Sequence, residues 1–203
     1  MRKKRAIIGS IALVSFVSAS LTVAGERNHN SKRKHSDSKV IEWGYTGDIG
    51  PEYWGELDRS FATCSSGMNQ SPIDLNNMLE ADLPYLNVNY TVGGDKVINN
   101  GHAIEIEYVP GSTISLDGQS FELKQFHFHS PSENTINGES FPMEAHYVHA
   151  NEDGKLAVIS LMFQEGEMNV ELEKAWAYMP ENAGESHELP DPLNGIMLLP
   201  QDR

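Results

Sequence analysis

A chain of 203 residues suits one medium domain or two small ones, and 39% hydrophobic against 22% charged residues lets it bury a core, which excludes wholesale disorder. The formal charge of −14 is uneven: residues 1–24 carry +4, residues 25–39 carry +3, and residues 40–203 carry −21 from 6 basic and 27 acidic side chains. A body so acidic repels phosphate backbones and anionic membrane surfaces, so neither nucleic acid nor a stable membrane association is expected.

In chain order, Arg2-Lys-Lys-Arg5 is a basic n-region, and the apolar run Ala6 to Val17 is too short to span a bilayer comfortably. Polar Ser and Thr interrupt it from Ser15 onward, and Thr22-Val23-Ala24 offers a small-x-small cleavage site. Residues 1–24 therefore read as a secretory signal peptide, which directs the product to the periplasm or the exterior. Residues 25–39, rich in Asn, Ser, Lys, Arg and His, read as a flexible basic linker. Residues 40–203 form the folded domain. Its single cysteine, Cys64, stands in an exported chain, where an odd cysteine means a free thiol, an intermolecular bridge or a missing partner.

The punctuation of the body is that of β structure. His102 to Val109 alternates apolar and polar residues and ends at Pro110-Gly111. Thr113 to Leu116 and Ser120 to Leu123 flank Asp117-Gly118, a hairpin signal, and Gln125 to His129 alternates again. Asn137-Gly138 marks another turn, Met143 to His149 a strand, Asp153-Gly154 a tight turn, and Leu156 to Phe163 an apolar strand buried on both faces. One helix is expected over Asn169 to Met179, with Val170, Leu172, Ala175, Trp176 and Met179 on one side and Pro180 as its stop. The fold class is mainly β (α+β), a single domain with peripheral helix.

The chemistry gathers in histidines and glutamates. His127 and His129 are two apart, so on a strand their imidazoles share a face while Phe126 and Phe128 turn to the other. Glu144, His146 and Val148 likewise share a face; if the two strands are neighbours, His146 completes a set of three nitrogen ligands. Three histidines and one open position are the ligand set of a catalytic zinc site, although imidazoles also suit copper, nickel or iron. Glu144 and Gln125 can engage the second ring nitrogens of ligand histidines, fixing their tautomers. Glu133, in the loop after Ser130-Pro131-Ser132, either orients a hydroxyl or caps a turn. His149 points away from His146.

Gln125-Phe-His-Phe-His-Ser-Pro-Ser-Glu133 and Met143-Glu-Ala-His-Tyr-Val-His149 resemble the metal-binding strands of the exported bacterial α-class carbonic anhydrases. Trp43-Gly-Tyr45, Asn69-Gln-Ser-Pro-Ile-Asp74 and Asn99-Asn-Gly-His-Ala103 are similar to further motifs of that family, in its order, so that the resemblance covers residues 43–163. It implies a large, mostly antiparallel twisted sheet carrying a zinc site, with short helices at its periphery. It also implies reversible hydration of carbon dioxide to bicarbonate and a proton by attack of zinc-bound hydroxide. His127, His129 and His146 would bind the zinc, with Gln125 holding His127 and Glu144 holding His146. Val148 and Val158 would line the apolar substrate pocket, and Glu133 would belong to the network orienting the hydroxide. His102 would be the proton shuttle, with Tyr45 and Asn100 holding its water chain.

The resemblance also implies that family members continue beyond a stretch like Leu198-Leu-Pro-Gln-Asp-Arg203. That continuation carries a threonine that meets the counterpart of Glu133 and the cysteine partner of Cys64, so the domain 40–203 is expected to be C-terminally incomplete, with Cys64 lacking its disulfide partner. Asn134 stands where many members carry histidine. Two other readings exist. A cupin-like metal protein would use Glu133 as a ligand after His127-x-His129, without that motif's flanking glycines. A non-catalytic exported zinc-binding protein would retain the histidines and lack turnover.

Overall fold

The computed structural model describes residues 41–200 and the backbone of residues 13–17. The remainder of the expected signal peptide, its cleavage site and the linker at 25–39 lie outside the described residues. Two units are distinguished, one containing residues 41–71 and the other residues 13–17 and 72–200.

In the smaller unit, two short helices, α1 (Trp54–Leu57) and α2 (Thr63–Ser66), are joined by a single turn of 3-10 helix, and two further such turns precede α1. It is held by aromatic edges: Trp43, Tyr45 and Trp54 meet in T-shaped pairs with centroids 5.3–5.8 Å apart. The Trp54 indole N–H donates to the carbonyls of Gly44 (2.9 Å) and Ile49 (3.0 Å). Cys64 sits exposed on α2 as a free thiol.

The larger unit is a sheet. Its strands are β1 (Leu13–Val17), β3 (Asn87–Asn89), β4 (Gly94–Asn99), β5 (Ile104–Tyr108), β6 (Thr113–Leu116), β7 (Gln119–His129), β10 (Met143–Ala150), β11 (Leu156–Phe163) and β12 (Ser186–Leu193). The spatial order is β1-β11-β10-β7-β5-β4-β12, with β6 and β3 extending beside the first half of β7, and every pairing in it is antiparallel. A second, small sheet joins β2 (Asp74–Leu75), β8 (Thr135–Ile136) and β9 (Glu139–Ser140). One helix, α3 (Val170–Trp176), begins at Asn169, whose side chain accepts from the N–H groups of Glu171 and Leu172.

The expected hairpins form where the turn chemistry places them. Asp117 (φ 50°) and Gly118 (φ 73°) make the left-handed pair of a tight turn between β6 and β7, and Asn137 (φ 53°) and Gly138 (φ 81°) repeat it between β8 and β9. Three expectations need correction. His102 to Val109 shortens to β5, because residues 100–103 are a turn in which Asn100 Oδ1 accepts from the N–H groups of His102 and Ala103. The helix stops at Trp176 rather than Met179, its last turn tightening as Tyr178 N donates to Ala175 O. Ser120–Leu123 and Gln125–His129 are one strand, not two. Gln125 faces Val148 and Leu123 faces His149, so Lys124 is an extra residue in β7, a bulge that shifts the alternation by one.

That shift places Phe121 and Leu123 on the same side as Phe126 and Phe128, all buried. With Ala145, Tyr147, Ile106, Ala157, Ile159 and Leu161 from neighbouring strands they form the core. Trp176 of α3 covers it, its ring 4.8 Å from that of Phe128. His149 belongs to this core face, as its phase requires. Its Nδ1 lies 3.0 Å from the Ala157 carbonyl, which can only accept, so Nδ1 carries the proton and Nε2 accepts from the Tyr90 hydroxyl at 2.6 Å. Burial lowers the His149 pKa to about 4.

Tyr90→Phe leaves Nε2 of His149 buried without its donor and should cost about 1–3 kcal/mol in urea unfolding at pH 7. In the unfolded chain His149 takes a proton near its ordinary pKa of about 6.5. The contribution of neutral His149 is thus complete above that value and declines as pH falls toward 4. His149→Gln should flatten the loss of stability across this window.

Candidate metal centre

The face of the sheet opposite the core carries the histidines. On β7 the two-residue period sends His127 and His129 outward together, and the register of β10 sets His146 directly opposite His127 and Glu144 opposite His129. One ligand atom from each of the three imidazoles lies within 4.8 Å of the others. Burial, with the neighbouring imidazoles adding repulsion, lowers the pKa of both His127 and His129 to about 4, so both rings are neutral at pH 7 with lone pairs available to a cation.

The second nitrogens of His127 and His146 each face a polar side chain. His127 Nδ1 lies 2.9 Å from Gln125 Oε1, which fixes the proton on Nδ1 and leaves Nε2 facing the cluster. His146 Nε2 lies 3.1 Å from Glu144 Oε1, an ion-pair distance short of hydrogen-bond alignment, which leaves its Nδ1 toward the cluster. Glu144 is fully buried and accepts from Glu133 N (2.8 Å), Asn134 N (3.0 Å) and Asn134 Nδ2 (2.7 Å). Burial alone would raise its pKa; the contact and charge of His146 and the Asn134 donors outweigh it and hold the carboxyl at about 2.

Glu133 follows a cis Ser130–Pro131 bond, and its Oε2 reaches within 3.2 Å of His129 Nε2 and 3.7 Å of His146 Nδ1. Val148 and Val158 are cross-strand partners, half-buried, one step along the same face from His146. His102 is exposed on the β4–β5 turn that Asn100 holds; the Asn100 amide also donates to Glu105 Oε2 at 3.3 Å. The sheet thus brings His127, His129, His146, Gln125, Glu144, Glu133, Val148 and Val158 into one neighbourhood. Tyr45 and Cys64 belong to the smaller unit described above.

Sequence reasoning passed over three residues. Asn134 is 1% exposed and bonded to Glu144, and its residue type alone carries no sign of that burial. Ser160, the lone hydroxyl in the apolar run of β11, pairs with His146 across the strands and accepts from Asn134 Nδ2 at 3.2 Å. Glu105 stands opposite His127 on β5, and the pattern of alternation contained that placement.

The sequence pattern of the eukaryotic-type carbonic anhydrases matches residues 49–203. A carbonic anhydrase of Pectobacterium carotovorum is 44% identical over 165 residues, 81% of this chain and 68% of that protein. One from Klebsiella pneumoniae is 43% identical over 163 residues, 79% of this chain and 66% of that protein. Among solved structures, the α-carbonic anhydrase of Thermovibrio ammonificans, in complex with the inhibitor sulfanilamide, superimposes with a TM-score of 0.78 at 43% identity, covering 80% of this chain and 73% of that one. A hyperthermostable carbonic anhydrase from a hydrothermal vent chimney gives a TM-score of 0.76 at 49% identity, over 79% and 72% of the two chains. These matches set aside the cupin-like reading.

In the metal-free protein, the side-chain carbon and nitrogen NMR shifts of His127 and His129 should titrate near pH 4, well below the ordinary value of about 6.5. Midpoints above pH 6 would contradict the burial and mutual repulsion described here.

Proposed function

The chain belongs to the eukaryotic-type carbonic anhydrase family, lyases that hydrate carbon dioxide, and on that premise we propose that His127, His129 and His146 hold zinc and form the seat of the reaction. The observation that carries this reading is the convergence of three imidazole nitrogens within 4.8 Å, on two neighbouring strands of a rigid sheet. Three imidazoles with a remaining open position fit a catalytic zinc. When bound, zinc lowers the pKa of a water to about 7, a known property of carbonic anhydrases, and so supplies hydroxide at neutral pH.

The chain's own residues do the rest. Gln125 and Glu144 hold the rings of His127 and His146 from behind, so that no ordering of these side chains is needed at each turnover. Val148 and Val158 offer an apolar wall suited to a small uncharged substrate that needs no hydrogen bond to enter. Glu133 presents a carboxylate oxygen at the rim of the cluster, and the family resemblance assigns it to the hydrogen-bond network that orients the attacking group. Addition of hydroxide to carbon dioxide yields bicarbonate, and renewing the hydroxide from water leaves a proton to be removed. An imidazole is the side chain suited to carry it near neutral pH, and His102 stands exposed on its turn, within reach of buffer. Asn100 holds that turn, and with Tyr45 it is assigned to the water chain on the strength of the family resemblance.

We also propose export, from the basic n-region, the short apolar run and the small-residue site at Thr22–Ala24. The mature protein would work in the periplasm or outside the cell, on carbon dioxide and bicarbonate. No helix among the described residues is long and apolar enough to cross a membrane.

Purified protein should contain roughly one zinc per chain. His146→Ala should lose both the metal and carbon dioxide hydration. His102→Ala should keep the zinc and slow turnover by up to about 100-fold in weak buffer, with recovery in concentrated imidazole. Full activity without zinc, or a His102 effect independent of buffer, would overturn the assigned roles. Separately, N-terminal sequencing of protein recovered from the cell exterior or periplasm should begin close after Ala24; protein retaining Met1 in the cytoplasm would refute export.

A further inference from the structure

A buried carboxylate that is ionised must be surrounded by donors, and the direction in which those donors pull fixes where its lone pairs point. Glu144 is such a group, 0% exposed. Its Oε2 is tied to two backbone N–H groups of the loop at 133–134, whereas its Oε1, the oxygen that faces His146 Nε2, meets the side-chain amide of Asn134 at 2.7 Å. Asn134 is itself 1% exposed and fully engaged. Its Oδ1 accepts from Ile73 N at 2.7 Å and its Nδ2 also reaches Ser160 Oγ at 3.2 Å. Because Ile73 N–H can only donate, Oδ1 must face it, and the donor end of the amide is forced toward Glu144.

The Ile73 end is in turn clamped. Thr135 N donates to Ile73 O, β2 pairs with β8 in parallel, and Asp74 Oδ1 accepts from Thr135 Oγ1 and Gly138 N at 2.8 Å each. This accounts for the Ile73-Asp74 portion of a sequence motif that the proposed reaction leaves without a task. Those residues lock the 134–138 segment, and that segment presents one amide to one carboxylate.

We infer that Asn134 is a positioning residue of the metal centre: acting through Glu144, it sets the aim of His146 and thereby how tightly the three histidines retain a divalent cation. The inference rests on the zinc reading of the site. Removing Asn134's side chain leaves Glu144 Oε1 without its shortest donor, so that the carboxylate can rotate about its two backbone anchors and His146 loses a fixed partner. Partners one step behind metal ligands change retention by roughly 10- to 100-fold, and a partner acting through another falls at the lower end, about 10-fold.

The test uses the full-length, zinc-loaded protein, with release of zinc followed in excess chelator and the ring nitrogen signals of His146 followed by NMR. Asn134→Ala, and Asn134→Leu as a variant that keeps the volume filled, should release zinc about 10-fold faster and shift or broaden the His146 Nε2 signal. Ile114→Val, which trims a core residue on β6, is the control for general loss of stability; it should lower the melting temperature and leave both readouts unchanged. Zinc release at the wild-type rate with an unaltered His146 signal in both Asn134 variants would overturn the inference alone, as would equal changes in Ile114→Val. A wild-type protein that binds no zinc would overturn the zinc reading and this inference with it.

Discussion

The site depends on a carboxylate in a place where carboxylates are expensive. Glu144 lies wholly inside the protein, and burial by itself would drive it to the neutral acid. It stays ionised because two backbone N–H groups, one side-chain amide and the imidazole of His146 converge on it. Three of these groups come from the loop at 133–134 and the fourth, His146, from the strand β10. The loop can deliver its donors only if it is itself held, by the small sheet of β2, β8 and β9. The small sheet, the loop and the histidine cluster are therefore one electrostatic assembly, and a cation bound by the histidines would complete its charge balance.

The large sheet makes a second contribution. It separates chemistry from packing by phase alone. Along β10, Ala145, Tyr147 and His149 enter the core while Glu144, His146 and Val148 take the other face. The two histidines that differ by three in sequence meet unlike fates for this reason. His146 keeps a nitrogen directed at the cluster, whereas both nitrogens of His149 are consumed by Ala157 and Tyr90. Composition offers no distinction between them; the strand period does.

How much of this was legible in the sequence follows the same division. Strands bounded by strong turns were readable: Leu156–Phe163 has the expected bounds, and Asp117-Gly118 and Asn137-Gly138 adopt the left-handed backbone their residue types invite. The three-histidine cluster was readable too, since it needed only the period and the adjacency of two strands. β12 was not, because Pro190 and Pro192 argue against a strand; it survives at the edge of the sheet, where missing N–H groups cost little. β4 was obscured by Asp95 and Lys96 near its start. Asn134 escaped because a loop residue's burial depends on what folds over it, here Ile73, sixty-one positions earlier.

The bulge at Lys124 has a consequence for how this strand tolerates insertions and deletions. Exchanging the side chain at 124 leaves the backbone path intact, and Lys124 is exposed. Deleting the residue would bring β7 into unbroken alternation with β10, with Phe121, Leu123, Phe126 and Phe128 still on the core face and His127 and His129 still on the other. Were Lys124 instead kept and the bulge drawn straight, either Phe126 and Phe128 would go to the wrong face with the histidines driven inward, or Phe121 and Leu123 would leave the core. The strand therefore carries a reading frame of its own, kept by absorbing one supernumerary residue at the bulge, so that removal of that one residue is the length change the strand can take without moving a side chain to the other face.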